Sequence, residues 1–303
     1  VTDADIRKLE RHVQRLGEAG SSADFVRANT DFHSAIVALA GTAVAQEVVL
    51  RGVTSFAQGT TFSRPWERFV EHVNETGTGV IRIESVGGPE AMPPFEVGNA
   101  LQAGIVTIAN VTSAFYTNLI PESDALHLAT NTIQDQRANG CYEVVNDLHQ
   151  QQMNAYYLAR TGDGVPFHLY LTRELAGPDL SGLTIRVTPV YRAFFSALGA
   201  NVVQTPPGEV YTALERGAID GYGWPIQGVL DLGWEEQTPY RVDPGFYQVD
   251  VNILVNLAAW KGLSDEARAV LEEAALWIEA QNADNLATNE SEREAQAAAG
   301  IQT

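Results

Sequence analysis

The chain of 303 residues is poor in basic charge, in lysine and in cysteine. Nineteen basic side chains stand against 38 acidic ones, a net charge of −19. A chain this acidic is repelled by a phosphate backbone, so nucleic acid is excluded as its partner, and an anionic membrane surface is disfavoured for the same reason. Only Lys8 and Lys261 are lysines, and no function is drawn from that. The single cysteine, Cys141, has no partner for an internal disulfide, so cysteine usage leaves the compartment open. No stretch reaches the roughly 18 apolar residues of a membrane span. The nearest, residues 34–45, has the length of an export-signal core, and Ala43-Val44-Ala45 fits a small-x-small cleavage site. Residues 1–33, of mixed charge, are not the short basic stretch that opens such a signal.

Catalytic signatures are missing too. There is no G-x-S-x-G, no H-E-x-x-H, no Walker loop and no G-x-G-x-x-G after a strand. The histidines at 12, 33, 72, 127, 149 and 168 are scattered, without metal-ligand spacing. No catalytic residue, metal site or cofactor is expected. What is present is the composition of a globular protein, 45% apolar and 19% charged, at a length suggesting about two domains.

Residues 1–45 read as a helical hairpin. Thr2 or Asp3 can cap the first helix, with Ile6, Leu9, Val13 and Leu16 at helical spacing. Ser22 can cap the second, whose stripe is Phe25, Val26, Phe32, Ile36 and Leu39, with Gly41 as its stop. Of the net charge only −1 falls here, so the acidity belongs to the body.

From residue 47 strands alternate with helices, which predicts α/β architecture with mostly parallel sheets. Strands are expected at 48–56, 80–86, 106–111, 167–171, 183–187, 201–204 and 219–222. Helices are expected from Ser63, at 95–103, over the long run 135–160, at 191–198 and 209–216, and from Ser264 onward. Residues 247–257 are strand-like and read across a possible domain boundary. Such sheets bind ligands beyond the carboxyl ends of their strands. Within 179–187, Leu183, Ile185 and Val187 share one face, and Thr184, Arg186 and Thr188 the other.

Two family resemblances follow. TDADIRKLERHV and ADFVRANTDFHSAIVALAG, within residues 1–45, resemble part of the helical effector domain of GntR-type transcription regulators. In that family the positions of Asn29 and His33 help hold a metal. The other ligands and the DNA-binding winged helix are missing, so no metal site is expected.

The body resembles the substrate-binding proteins of tripartite ATP-independent periplasmic (TRAP) transporters over about residues 47–290. The matching features are TSFAQGTTFSRPWERFVEHVNE, Gly104-x-x-x-Ile-Ala-Asn110-Val with Ile120-Pro121-Glu122, and Asp179-Leu-x-Gly-Leu-x-Ile-Arg186-Val. They continue with Val210-Tyr211-x-Ala-Leu214-x-x-Gly217-x-Ile-Asp220-Gly and Trp260-x-x-Leu263-Ser.

The resemblance implies a two-domain periplasmic binding protein fold with the ligand cleft between domains, beside the N-terminal hairpin. Domain I would hold 46–164 and 248–262; domain II would hold 165–247 and 263–303, with a long C-terminal helix. It implies a periplasmic receptor, not an enzyme, that binds an organic acid and delivers it to the TRAP membrane permease subunits. The alternatives are a fragment of a ligand-sensing regulator and an enzyme of unknown reaction. In the family the arginine at Arg186 clamps the ligand carboxylate, and Trp224 lies beside the ligand. Phe56, Asn110, Ser113, Tyr116, Tyr222 and Asn252 follow or lie on the strands that frame such a cleft, and His168 is a further candidate contact. Sialic-acid-binding members carry Arg, Glu and Arg where Phe167, Thr112 and Phe115 stand here. The expected ligand is therefore a carboxylate with an apolar or aromatic body, a small dicarboxylate remaining open. Family chains usually continue a few helical turns beyond Ile301, so a shortened C-terminus is expected.

Overall fold

The computed structural model describes residues 3–42 and 47–303. The chain divides into two compact units, Val1–Val48 and Val49–Thr303. The first contains helices α1 (Asp3–Gly17) and α2 (Ser22–Thr42), packed against each other. Ile6, Val13, Phe25 and Val26 nevertheless stay exposed. The cap of α2 is Ser21 rather than Ser22: its Oγ accepts from the Asp24 N–H at 3.2 Å. Helix α2 runs through Gly41 instead of stopping there. Thr2 and the Ala43-Val44-Ala45 cleavage pattern lie outside the described residues.

In the body, the first β-branched run forms β1 (Val48–Thr54), and α3 (Arg64–Thr76) follows with Ser63 at its N-cap and Pro65 in its first turn. Trp66 of α3 packs so closely on β1 that a Cβ at Gly52 would lie 2.7 Å from its ring, so only glycine fits there. Next come β2 (Ile81–Ser85), α4 (Val97–Gln102) and β3 (Ile108–Val111).

The single helix expected over 135–160 is three elements: α5 (Ile133–Asn139), α6 (Cys141–Met153) and β4 (Ala155–Thr161). Left-handed residues make both breaks, Gly140 at φ 85° and Asn154 at φ 50°. Strand β4, Ala-Tyr-Tyr-Leu-Ala-Arg-Thr, carries little strand signal of its own. Pairing and burial decide its state.

Strands β5 (Phe167–Leu171), β6 (Thr184–Val187), β7 (Asn201–Gln204) and β8 (Gly221–Pro225), and helices α7 (Arg192–Ala197) and α8 (Pro207–Glu215), fall close to their expected places. A short unexpected strand, β9 (Tyr240–Val242), precedes β10 (Val251–Asn256), and α9 (Leu257–Gly262) follows. Ser264 caps α10 (Asp265–Ala280), accepting from the Ala267 N–H at 3.1 Å. The final helix is not continuous: a turn at Gln281–Asp284 separates α10 from α11 (Asn285–Ala298).

Two five-stranded sheets result, ordered β2-β1-β3-β10-β4 and β7-β6-β8-β5-β9. Both are mixed rather than mostly parallel. Strands β1 and β3 pair in parallel, as β6 does with β7 and β8, but β10 and β5 are antiparallel to both of their neighbours. These two strands are the ones the chain enters on crossing from the other sheet. No crossover helix within one sheet precedes them, so nothing imposes a parallel direction. The two crossings pair with each other: the Phe167 N–H donates to Tyr247 O at 2.8 Å and the Val249 N–H to Val165 O at 2.9 Å.

Helix α10 buries Leu271, Ala274 and Ile278 and packs on β4 and α3, both on the first sheet. Only α11 reaches the second sheet, where the Gln296 amide donates to Ile226 O at 2.6 Å. The break at 281–284 thus separates a helix packed on the first sheet from one that bonds to the end of β8.

Candidate functional site

The carboxyl ends of β1, β3, β6 and β8 meet at a narrow cavity. Phe56 follows β1, and Thr112, Ala114 and Phe115 follow β3; Thr188 and Tyr191 follow β6, and Trp224 and Pro225 close β8. Phe62, Phe167, Val249 and Val251 complete the wall. The rings interlock. Phe56 lies 5.5 Å from Phe62 and 5.9 Å from Phe115, and Phe62 meets Trp224 edge-on at 6.2 Å.

Arg186 on β6 is fully buried beside this cavity. Its Nε donates to Thr205 O at 2.8 Å and its Nη1 to the Tyr191 hydroxyl at 3.1 Å. That hydroxyl donates onward to Gly223 O at 2.9 Å, which fixes it as acceptor toward the arginine. The guanidinium carbon stands 5.8 Å from the Trp224 ring centre. Burial pulls the Arg186 pKa below its ordinary value, with Tyr191 acting in the opposite sense. No carboxylate pairs with Arg186 among the described residues. Its Nη2, the Thr188 Oγ1 and the Trp224 Nε1 are buried and have no hydrogen-bond partner among the described residues. A buried cation without a counter-charge is costly, so the arrangement is complementary to an anion with oxygen acceptors.

Of the expected residues, Phe56 and Trp224 line the cavity, and Arg186 stands next to Trp224. The structure places the other expected residues elsewhere. Tyr222 lies two residues before Trp224 on β8, deeper in the core; it stacks on Tyr170 at 5.2 Å and its hydroxyl is 2.9 Å from Thr238 Oγ1. The Asn110 side chain donates to Thr54 Oγ1 and to Phe62 O, both at 3.0 Å, and so anchors the loop that carries Phe62. Ser113 Oγ lies 2.8 Å from His127 Nε2. The Tyr116 hydroxyl lies 3.0 Å from His149 Nε2 and accepts from Asn252 Nδ2 at 2.9 Å. Asn252 also donates to Asp250 at 2.9 Å and accepts from the Tyr157 hydroxyl at 2.8 Å. His168 points to the opposite face of β5 from Phe167, with Nδ1 2.7 Å from Asp243 Oδ1. Burial lowers its pKa despite the attraction of Asp243.

Sequence reasoning missed Thr188, Tyr191 and Phe62 as site residues. Thr188 had a usable signal, since it shares the face of Arg186 on the alternating strand. Tyr191 and Phe62 had none, because short irregular turns bring them in. In the N-terminal unit, His33 Nδ1 lies 2.9 Å from its own helix's Asn29 O. No cluster of three or more His, Cys, Asp or Glu side chains that could hold a metal occurs among the described residues.

Residues 53–302 match bacterial extracellular solute-binding protein, family 7 (DctP). The chain belongs to this family. Residues 1–73 also match the FCD domain, so the family 7 chain carries a second resemblance at its N-terminal side. A monocarboxylate 2-oxoacid-binding periplasmic protein of Nostoc sp. is 29% identical over 223 residues, 69% of this chain and 60% of the relative. The chain thus spans 60% of that relative's length. A TRAP periplasmic solute-binding protein of Chromohalobacter salexigens, solved with D-glucuronate, superposes with a TM-score of 0.75 at 21% identity, covering 84% of this chain and 87% of that one. A TRAP solute-binding protein of Bordetella bronchiseptica, solved with calcium and picolinate, gives 0.74 at 24% identity, covering 84% and 80%. These likenesses establish the TRAP solute-binding fold for the family 7 chain. No helix among its described residues is long and apolar enough to cross a membrane.

Proposed function

We propose that the chain is a periplasmic TRAP receptor that binds a small organic acid by its carboxylate and hands it to the membrane permease subunits. The observation that carries this is a set of three unpartnered buried donors at an aromatic-walled cavity: Thr188 and Trp224 line it, and the Arg186 guanidinium stands 5.8 Å from the Trp224 ring centre. A carboxylate accepts charge-assisted hydrogen bonds from the guanidinium, whose plane Tyr191 and Thr205 hold in place. Thr188 and Trp224 offer hydrogen bonds to the second carboxylate oxygen or to an oxygen on the adjacent carbon. The Phe56, Phe62, Phe115 and Phe167 rings favour a compact apolar or aromatic remainder over a polyhydroxylated one. The Nostoc relative, named for monocarboxylate 2-oxoacids, agrees with a 2-oxo monocarboxylate as first choice. The division into lobes along the two sheets, with the paired crossings as hinge, is part of the same reading. Lobe closure removes water, so the arginine–carboxylate pair strengthens as the site shuts.

Melting curves with pyruvate, longer 2-oxo acids and their neutral amides test the reading. A ligand at 100 times its Kd adds about 2.7 kcal/mol. Each kcal/mol raises Tm by about 2–4 °C in chains of 150–250 residues. Acids that shift Tm by several degrees while their amides do not are the expected result. Equal shifts from acid and amide, or no shift from any acid, contradict it.

A further inference from the structure

At the mouth of the cleft, one side chain of the second sheet grips the first. Asp231 follows β8 in the short turn Leu230–Leu232. Its Oδ2 accepts from the Thr61 N–H at 2.7 Å and from the Thr61 hydroxyl at 2.6 Å. Its Oδ1 accepts from Arg64 Nη2 at 3.2 Å. Thr61 and Arg64 belong to the loop and first turn that open α3, packed on the first sheet. That loop is built before it is gripped. Arg64 Nε donates to Gly59 O at 2.8 Å, the Gly59 N–H donates to Glu67 at 2.7 Å, and the Thr60 N–H donates to Ser63 Oγ at 3.0 Å. The second-sheet side is shaped to meet it. Gly228, at φ 84°, comes close enough to Thr61 that an added Cβ would lie 3.2 Å from the Thr61 Cβ. Between the two halves of this contact, Phe62 meets Trp224, and both line the ligand cavity.

We propose that Asp231 is the latch of the cleft, a positioning residue that holds Phe62 against Trp224 and sets how long a ligand stays. The inference rests on the receptor reading above for its ligand, but not for its geometry. Three hydrogen bonds to one carboxylate, two of them from a single threonine, make a contact between the sheets that is directional and partly shielded. A carboxylate before the first turn of α3 also meets the positive end of that helix. Because both Asp231 oxygens are taken by Thr61 and Arg64, the residue controls closure without being consumed as a ligand contact. The contact favours the closed arrangement of the two sheets, and loss of Asp231 shifts the balance toward an open one.

Spin labels at Glu71→Cys on α3 and Glu209→Cys on α8, both exposed, in a Cys141→Ser background, report the distance between the sheets by pulsed dipolar spectroscopy. In the ligand-free full chain, Asp231→Ala is expected to add a population several ångströms longer, at an unchanged melting temperature. Thr61→Val gives a smaller change, and Thr61→Ser, which keeps the hydroxyl, gives none. Arg64→Met provides the same test if Asp231→Ala fails to fold. With pyruvate as probe, release from Asp231→Ala is expected to be about tenfold faster, with the order of preference among acids unchanged. An identical distance distribution in Asp231→Ala and Arg64→Met overturns the latch. A lengthened distance that pyruvate does not reverse leaves the latch standing and counts instead against the ligand assignment.

Discussion

In the proposed reading, Arg186 serves ligand binding at a cost in stability. It is fully buried, and burial already disfavours its charge. Replacing it with methionine of similar length removes an unpaired interior cation, so Arg186→Met should unfold no earlier than the parent chain while losing acid binding. Parallel chemical denaturation and binding measurements check this, and a large loss of stability would contradict it. A second residue sets an acid limit. His149 is held neutral, with Nδ1 2.8 Å from Val145 O and Nε2 3.0 Å from the Tyr116 hydroxyl, and burial pulls its pKa down from 6.5 to about 4. The unfolded chain then binds a proton that the folded one refuses, so stability falls as pH drops through the window from about 6.5 to about 4. Between pH 7 and pH 5 this group should cost about 2 kcal/mol, a loss that His149→Gln lacks. Comparing urea midpoints of the two proteins at both pH values measures it. Of these residues, Arg186 was singled out in the sequence only because the family motif over 179–187 carries it. The partnership of His149 with Tyr116 was not, since it joins helix α6 to a turn 33 positions away.

Strand β8 ends the site because its small residues let others approach. A Cβ at Gly223 would lie 2.9 Å from the Tyr191 ring, and Gly223 O is the acceptor that orients the Tyr191 hydroxyl. Gly223→Ala should cost about 1–3 kcal/mol by overpacking and weaken acid binding along with it, because Tyr191 steadies Arg186. Calorimetric titration of the folded variant separates the two effects; undiminished binding would remove Tyr191 from the account. Elements with strong local patterns, such as β5, β7 and the Ser264-capped α10, were readable from the chain. Strand β4 was not. Its mix of strand formers (Tyr156, Tyr157, Thr161) and helix formers (Ala155, Leu158, Ala159, Arg160) decides neither state, and the left-handed Asn154 before it and the pairing with β10 make it a strand. The same holds for β9, three residues long, whose register with β5 comes entirely from tertiary pairing.

Over the whole molecule the net charge of −19 opposes the approach of any anion, whereas the buried guanidinium attracts it only at short range. Raising ionic strength from about 10 mM to physiological shortens the Debye length from about 30 Å to about 8 Å. Association of the acid should therefore speed up severalfold with salt, where a basic receptor would slow down; stopped-flow tryptophan fluorescence reads this directly. The two-sheet architecture with aromatic walls follows from strand–helix alternation and the family motifs. The mixed direction of β5 and β10 follows from the crossings, which no local pattern encodes. The central claim is that an organic acid is held by Arg186. Isothermal titration of the most stabilising acid into the parent chain and into Arg186→Ala tests it most directly. The account predicts clear binding to the parent and a loss of about 100-fold or more in the folded variant, as expected when one partner of a buried charge pair is removed. Equal affinity in both proteins would contradict it.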